Sequence, residues 1–204
     1  MLIQIHPENP NPYQIDKVVE ILKKGGVIIY PTDTVYGLGC DIFNSKAVEK
    51  IARIRGLKPE KANFSFICQD LSHLSFYTRQ ISNPVFKIMK RYLPGPFTFI
   101  LEASNNIPKL FKNKKKTVGI RIPNHNIPLE IVKKLGNPLL TTSIHDYDEI
   151  IDYTTDPEII YDNFGHLVDI VIDGGYGNNI PSTVINCTVE PPEIVRQGLG
   201  IFEG

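Results

Sequence analysis

The chain of 204 residues is predicted to fold as a single α/β (α+β) domain, an open mixed β-sheet flanked by helices. Two observations predict this. Capped amphipathic segments alternate with β-branched runs early in the chain, and short strand-like segments cluster late. The length suits one domain over residues 1–204, and 42% apolar content is ample for one core.

Asn11 and Pro12 read as the cap and first position of a helix. Ile15, Val18, Val19 and Leu22 then recur at i, i+3, i+4 and i+7 before Gly25. A strand follows from Val27 to Tyr30. A second helix is expected from about Ser45, burying Val48, Ile51 and Ala52 and leaving Arg53 and Arg55 at or past its end, toward a loop. Asn83 and Pro84 open a third, with Val85, Ile88, Met89 and Tyr92 in register and Pro94-Gly95 as its stop. Strand Phe97 to Glu102 comes next, and later strand Val118 to Ile122. Pro128 begins a helix through Ile131, Val132 and Leu135 that Gly136 closes, leading to a short strand from Leu139 to Thr142. Thr155 is placed to cap a helix through Ile160. The late strands are Leu167 to Ile172, Ser182 to Cys187 and Glu193 to Arg196. No repeat, low-complexity tract or Pro/Gly linker marks a second domain.

Composition narrows the function classes. With 22 basic against 22 acidic side chains, no global field draws the chain to nucleic acid or membrane, so any polyanion site must be a local patch. Cys40, Cys68 and Cys187 are widely separated, which fits core thiols and neither a disulfide framework nor zinc spacing. The five histidines show no metal-ligand spacing either, so no protein-held metal is expected. No apolar run approaches the ~18 residues of a membrane span. Met1 to Pro12 lacks the features of a secretory leader, so a cytoplasmic location is expected. No phosphate-binding loop or dinucleotide fingerprint occurs, and Gly174-Gly175-Tyr176-Gly177 reads as a turn.

The most informative stretch runs from Tyr30 to Asp41. A β-branched run ends abruptly in hydroxyls, a carboxylate and glycines, as a site at a strand's end does. Thr32 and Thr34 flank Asp33 and can orient a polar ligand, while Gly37 and Gly39 let the backbone come close to it or take φ > 0. A turn with capping side chains is the other reading. Four of the chain's six arginines, Arg53, Arg55, Arg121 and Arg196, stand near expected element ends together with Ser143, Ser182 and Thr183. Guanidinium forks bind phosphate and carboxylate bidentately, and hydroxyls add hydrogen bonds without charge.

Pro31-Thr32-Asp33-Thr34-Val35-Tyr36-Gly37-Leu38 resembles the opening of the YrdC/Sua5/YciO family. Arg53-Ile54-Arg55 sits where that family carries Lys-x-Arg, and Gly119-Ile120-Arg121-Ile122-Pro123 resembles its Gly-x-Arg-x-Pro strand. Thr141-Thr142-Ser143-Ile144-His145 falls at its Thr-Ser-x-Asn segment. Pro181-Ser182-Thr183-Val184-Ile185 and Val195-Arg196-Gln197-Gly198 resemble its last two signatures. Arg-x-Arg and the missing Asn resemble the YciO branch more than the synthases.

The resemblance implies a YrdC-like fold, a twisted sheet around a basic concave cleft. It also implies an ATP-binding protein related to L-threonylcarbamoyladenylate synthases, nucleotidyltransferases of tRNA modification, with weak or altered activity. In those synthases L-threonine and bicarbonate form a carbamate that attacks the α-phosphate of ATP and releases pyrophosphate. By carry-over, Thr32, Thr34, Tyr36 and Arg121 would bind substrate, and Arg53 and Arg55 would serve catalysis at the carboxylate and phosphates. Arg55, Ser143, His145, Ser182, Thr183 and Arg196 would hold the nucleotide, with Mg²⁺ arriving on ATP. Arg53 replaces the synthases' Lys and His145 their Asn, which changes a point charge to a fork and an amide to a titratable ring. Lys112, Lys114, Lys115 and Lys116 form the one dense basic run. It reads as a solvated loop or, if it borders the cleft, as a track for an RNA backbone. The alternative function is therefore a non-catalytic double-stranded RNA-binding or ribosome-associated module.

Overall fold

The computed structural model describes residues 1–57, 64–108, 116–144 and 155–203. Among them ten strands form one sheet: β1 (Leu2–Gln4), β2 (Ile28–Tyr30), β3 (Gly37–Asp41), β4 (Ser65–Ile67), β5 (Phe97–Glu102), β6 (Thr117–Arg121), β7 (Leu139–Ser143), β8 (Ile170–Asp173), β9 (Thr183–Asn186) and β10 (Glu193–Arg196). Six helices accompany it: α1 (Pro12–Lys23), α2 (Ser45–Ile54), α3 (Leu74–Tyr77), α4 (Asn83–Tyr92), α5 (Asn126–Leu135) and α6 (Pro157–Phe164). The strand order is β1-β8-β2-β3-β7-β4-β6-β5-β9-β10. Parallel pairs (β1 with β8, β8 with β2, β4 with β6, β5 with β9) are interspersed with antiparallel ones, so the sheet is mixed, as expected.

Local chemistry starts and stops the helices where the caps predict, with small shifts. Asn11 accepts the Tyr13 N–H at 3.0 Å and Pro12 opens α1. Asn44 caps α2 through the Ala47 N–H, and Gly136 ends α5 at φ 82°. Asp156, one residue after Thr155, caps α6 by accepting the Glu158 N–H at 2.9 Å. A carboxylate facing the positive end of the helix prevails over a hydroxyl there. Helix α5 begins two residues before Pro128, because His125 Nδ1 accepts the Ile127 N–H at 3.3 Å.

The two faces of the sheet are covered unequally. Leu38, Cys40, Phe66, Phe99, Ile120, Leu140, Val171 and Ile185 form one face, which packs on Val48 and Ile51 of α2, Met89 of α4 and Ile160 of α6. On the other face, α1 and α5 cover only Ile28, Tyr30, Ile67, Leu139, Ile170 and Ile172. Beyond that apolar half the same face turns to hydroxyls, glycine and arginine, and no described helix packs over it. A pleated strand presents alternate residues to one side, so Thr117, Gly119 and Arg121 of β6 point here while Val118 and Ile120 point to the core. The uncovered half is a cleft.

No helix among the described residues is long and apolar enough to cross a membrane. Cys40, Cys68 and Cys187 are free thiols. Burial pushes Cys68 up to about 12 and Cys187 up to about 11, so neither presents a thiolate near neutral pH.

Candidate ligand-binding cleft

The cleft has a volume of about 900 Å³. Strand register lays one row of side chains straight across its floor. Gly39 pairs with Thr141, Thr141 with Ser65, Ser65 with Gly119, Gly119 with Ile100, Ile100 with Asn186, and Asn186 with Glu193. At 4.7–4.9 Å per strand, the row from Thr141 to Glu193 extends roughly 24 Å. Its hydroxyls lie at one end and its amide and carboxylate at the other.

Arg121 is held at the cleft by a cluster of short contacts. Its side chain is 8% exposed, and Nη2 donates to Thr32 Oγ1 at 3.1 Å, Asp33 Oδ1 at 2.6 Å and Thr34 Oγ1 at 2.5 Å. Asp33 Oδ2 accepts the Asn124 N–H at 3.0 Å, which ties the β2–β3 loop to the turn after β6. Thr32 Oγ1 also donates to the Val35 carbonyl at 2.7 Å and accepts the Thr34 N–H at 3.0 Å. Both the turn and the site readings of this loop thus hold a part of the structure. The threonines fix the loop's shape and position Arg121, whose buried Nε has no hydrogen-bond partner among the described residues and whose side chain lines the cleft.

Gly37 and Gly39 need their absent side chains for a reason the sequence did not suggest. Neither has positive φ; the glycines that do are Gly25, Gly56, Gly136 and Gly175. Instead the Tyr30 ring lies over both. A Cβ on Gly37 would stand 2.9 Å from Tyr30 Cζ, and one on Gly39 would stand 2.8 Å from Cε1 and 2.5 Å from the Leu140 carbonyl oxygen.

The other predicted residues separate into those at the cleft and those outside it. Tyr36 lines it with its ring, while its hydroxyl donates to the Gly175 carbonyl at 2.6 Å; burial raises that phenol far above its ordinary value. Ser143 lines the wall, and Arg55, the C-cap of α2, donates from Nη1 to the Ser143 carbonyl. Ser182 Oγ lies 2.8 Å from Thr98 Oγ1, and Arg196 Nη2 donates to the Ser182 carbonyl at 2.9 Å, so these three form the opposite wall. Thr183 faces away. It is fully buried, donates to the Gly200 carbonyl at 2.6 Å and accepts the Gly198 N–H at 2.9 Å, binding the C-terminal segment to β9. Arg53 is exposed in the last turn of α2 and is not part of the cleft lining. His145, Lys112, Lys114 and Lys115 lie outside the described residues; Lys116 is exposed, at φ 51°, just before β6.

Sequence reasoning missed Thr98, Ser65, Thr141, Asn186 and Glu193 as cleft residues. Period-two alternation along β5, β7 and β9 carried the signal, but it had no meaning until one face was known to be uncovered. Among the described residues, no group of three or more His, Cys, Asp or Glu side chains is arranged to hold a metal ion.

His125 stands beside the Arg121 cluster and is a pH-sensitive cap. Burial lowers its pKa below the ordinary 6.5; the Asp33 and Glu8 carboxylates oppose this and Arg121 adds to it. A histidine whose folded pKa is depressed contributes its full stability above the unfolded value, and loses it as pH falls through the folded value. Unfolding stability is therefore expected to rise with pH up to about the unfolded value of 6.5, and His125→Asn, which keeps a capping acceptor, should flatten that rise. Urea titrations at several pH values check this, and an equal slope in the variant contradicts it.

A family model described as telomere recombination, for the Sua5/YciO/YrdC proteins, matches residues 20–198. The chain belongs to the Sua5/YciO/YrdC family. YciO of Escherichia coli is 43% identical over 201 residues, covering 96% of this chain and 94% of that protein. The crystal structure of E. coli YciO superposes with a TM-score of 0.91 at 42% identity, covering 98% of this chain and 97% of that one. More distant is the threonylcarbamoyl-AMP synthase of Pyrococcus abyssi, 27% identical over 94% of this chain and 56% of its own length. The structure of P. abyssi Sua5 complexed with L-threonine gives a TM-score of 0.86 at 26% identity, over 97% of this chain and 57% of that chain. Within the Sua5/YciO/YrdC family, overall identity thus places this chain nearer YciO than the synthases, as its Arg-x-Arg segment suggests.

Proposed function

We propose that the cleft binds ATP together with an amino-acid carboxylate, and that the protein is a nucleotide-binding relative of the threonylcarbamoyl-AMP synthases with low synthase activity of its own. The observation that carries this reading is the uncovered sheet face. It presents Arg121, Arg196 and a floor of hydroxyls in a fold that superposes on Sua5 complexed with L-threonine. Joining a carbamate to the α-phosphate of ATP requires no protein nucleophile. It requires two anions held close and the growing phosphoryl charge neutralised.

In this reading Arg121, braced by Thr32, Asp33 and Thr34, faces the amino-acid carboxylate, with the Tyr36 ring as a wall. Ser143, whose carbonyl Arg55 holds, Ser182 and Arg196 line the path of the phosphates and nucleoside. Mg²⁺ would come in on the nucleotide as part of the co-substrate. Arg53, exposed and outside the cleft lining, and His145 stand where the synthases' pattern has Lys and Asn, and misplacement of charged groups by about an ångström can cost on the order of a hundredfold in rate, so a cation that does not reach the cleft fits low turnover.

Calorimetry with AMP and assay of threonine- and bicarbonate-dependent pyrophosphate release test the proposal. AMP is expected to bind the wild type, and Arg196→Ala to weaken it by about tenfold or more, the cost of one charge-assisted contact. Pyrophosphate release should be slow, and should rise in Arg53→Lys with His145→Asn without a matching change in AMP affinity. Failure of AMP to bind the folded wild type would sink the nucleotide assignment. Turnover equal to that of a synthase assayed in parallel would overturn the low-activity part alone.

A further inference from the structure

We infer that Thr141 is a ligand-contacting hydroxyl of the cleft, held by Tyr30 as a donor to a negatively charged oxygen of the bound molecule. This rests on the reading of the cleft as an anion-binding site. Tyr30 is fully buried at the end of β2, under α1 and α5, and its hydroxyl lies 2.6 Å from Thr141 Oγ1. That oxygen is the one acceptor the Tyr30 proton has among the described residues. A buried hydroxyl without an acceptor loses its desolvation energy outright, so the proton sits on the Tyr30–Thr141 line. Burial also holds the phenol far above its ordinary pKa, so it keeps that proton.

The consequence falls on Thr141. Its oxygen is already accepting from the apolar side, so its own proton must point elsewhere, and the residue is 6% exposed and lines the cleft. No other hydrogen bond engages it among the described residues. Ser65 is its register partner on β4, without a hydrogen bond between them. The two glycines complete the device. Gly37 and Gly39 leave room for the Tyr30 ring to lie flat on β3 and reach Thr141, and a Cβ on Gly37 would stand 3.3 Å from Thr141 Oγ1. A threonine pinned in this way donates without first turning, so the ligand finds the donor already oriented. The shared chemistry of the ligand is an anionic oxygen, supplied either by an amino-acid carboxylate or by a phosphate.

Thr141→Val, Thr141→Ser, Tyr30→Phe and the Tyr30→Phe/Thr141→Val pair test this, with L-threonine, AMP and pyrophosphate titrated separately by calorimetry. Thr141→Val is expected to weaken one of these probes by about tenfold or more, and which probe weakens tells carboxylate from phosphate. Thr141→Ser should restore binding. Tyr30→Phe should cost several-fold in the wild type and nothing further when Thr141 is already Val, a coupling that a purely structural Tyr30 would not produce. Circular dichroism confirms that each variant is folded. Unchanged affinity for all three probes in Thr141→Val overturns the inference and leaves the proposed function standing. Absence of binding of every probe to the wild type overturns both.

Discussion

Asp33→Ala is expected to cost about 3–5 kcal/mol of folding stability, because it leaves the Arg121 guanidinium buried without its carboxylate. For a chain of this size that is roughly 6–20 °C in Tm. The magnitude comes from burial. The Asp33 and Arg121 side chains are 11% and 8% exposed, whereas the Arg79–Glu102 pair is 58% exposed on each side. A surface pair of that kind contributes about 0–1 kcal/mol. Chemical denaturation of Asp33→Ala beside Glu102→Ala makes the comparison directly. Adding Arg121→Met to Asp33→Ala should recover much of the loss, since the stranded charge disappears. If Asp33→Ala and Glu102→Ala lose the same small amount, the cluster does not hold the β2–β3 loop in the way described.

Gly39→Val should be the next most damaging change. Its Cβ would meet a backbone oxygen at 2.5 Å and the Tyr30 ring at 2.8 Å, and a main-chain carbonyl in the middle of a sheet cannot swing away. Overpacking of this kind costs about 1–3 kcal/mol and occasionally more. The position distinguishes two accounts of the glycine. If Gly39 served ligand approach, valine would weaken binding and leave Tm nearly unchanged. If it makes room for Tyr30, stability falls first, and shrinking the ring with Tyr30→Leu in the same chain should recover part of it. Thermal unfolding of the single and double variants separates these outcomes.

Much of the helical part of the fold was legible because its signals are local. Asn11-Pro12 and Gly136 are start and stop chemistry within a turn of the helix they bound. Strand β3 was not legible. Gly37-Leu38-Gly39-Cys40-Asp41 has poor β-propensity, and what makes it a strand is the aromatic ring of Tyr30 on one side and β7 on the other. Strand β1, three residues long, carries too little pattern to recognise. The motif residues of the site could be read as polar and special. Their division of labour could not, because it depends on contacts between residues as far apart as Thr32 and Arg121. Thr183 shows the limit clearly. It sits beside Ser182 in the same signature, yet strand alternation turns one hydroxyl to the cleft and the other to the Gly200 carbonyl.

The position of β8 between β1 and β2 bears on how the protein is made. Two strands from the first thirty residues acquire their shared neighbour only when residues 170–173 have been synthesised. At about 5–20 residues per second, that leaves the β2 edge, with Ile28 and Ile29, unpaired on the ribosome for several seconds or longer. Such an edge templates wrong pairings, and pairings this distant in sequence close slowly. The newborn chain thus carries an apolar strand edge that stays open until β8 arrives. Because β9 and β10 supply a wall of the cleft, a ligand cannot template the early stages; it can only reward a sheet that has already closed.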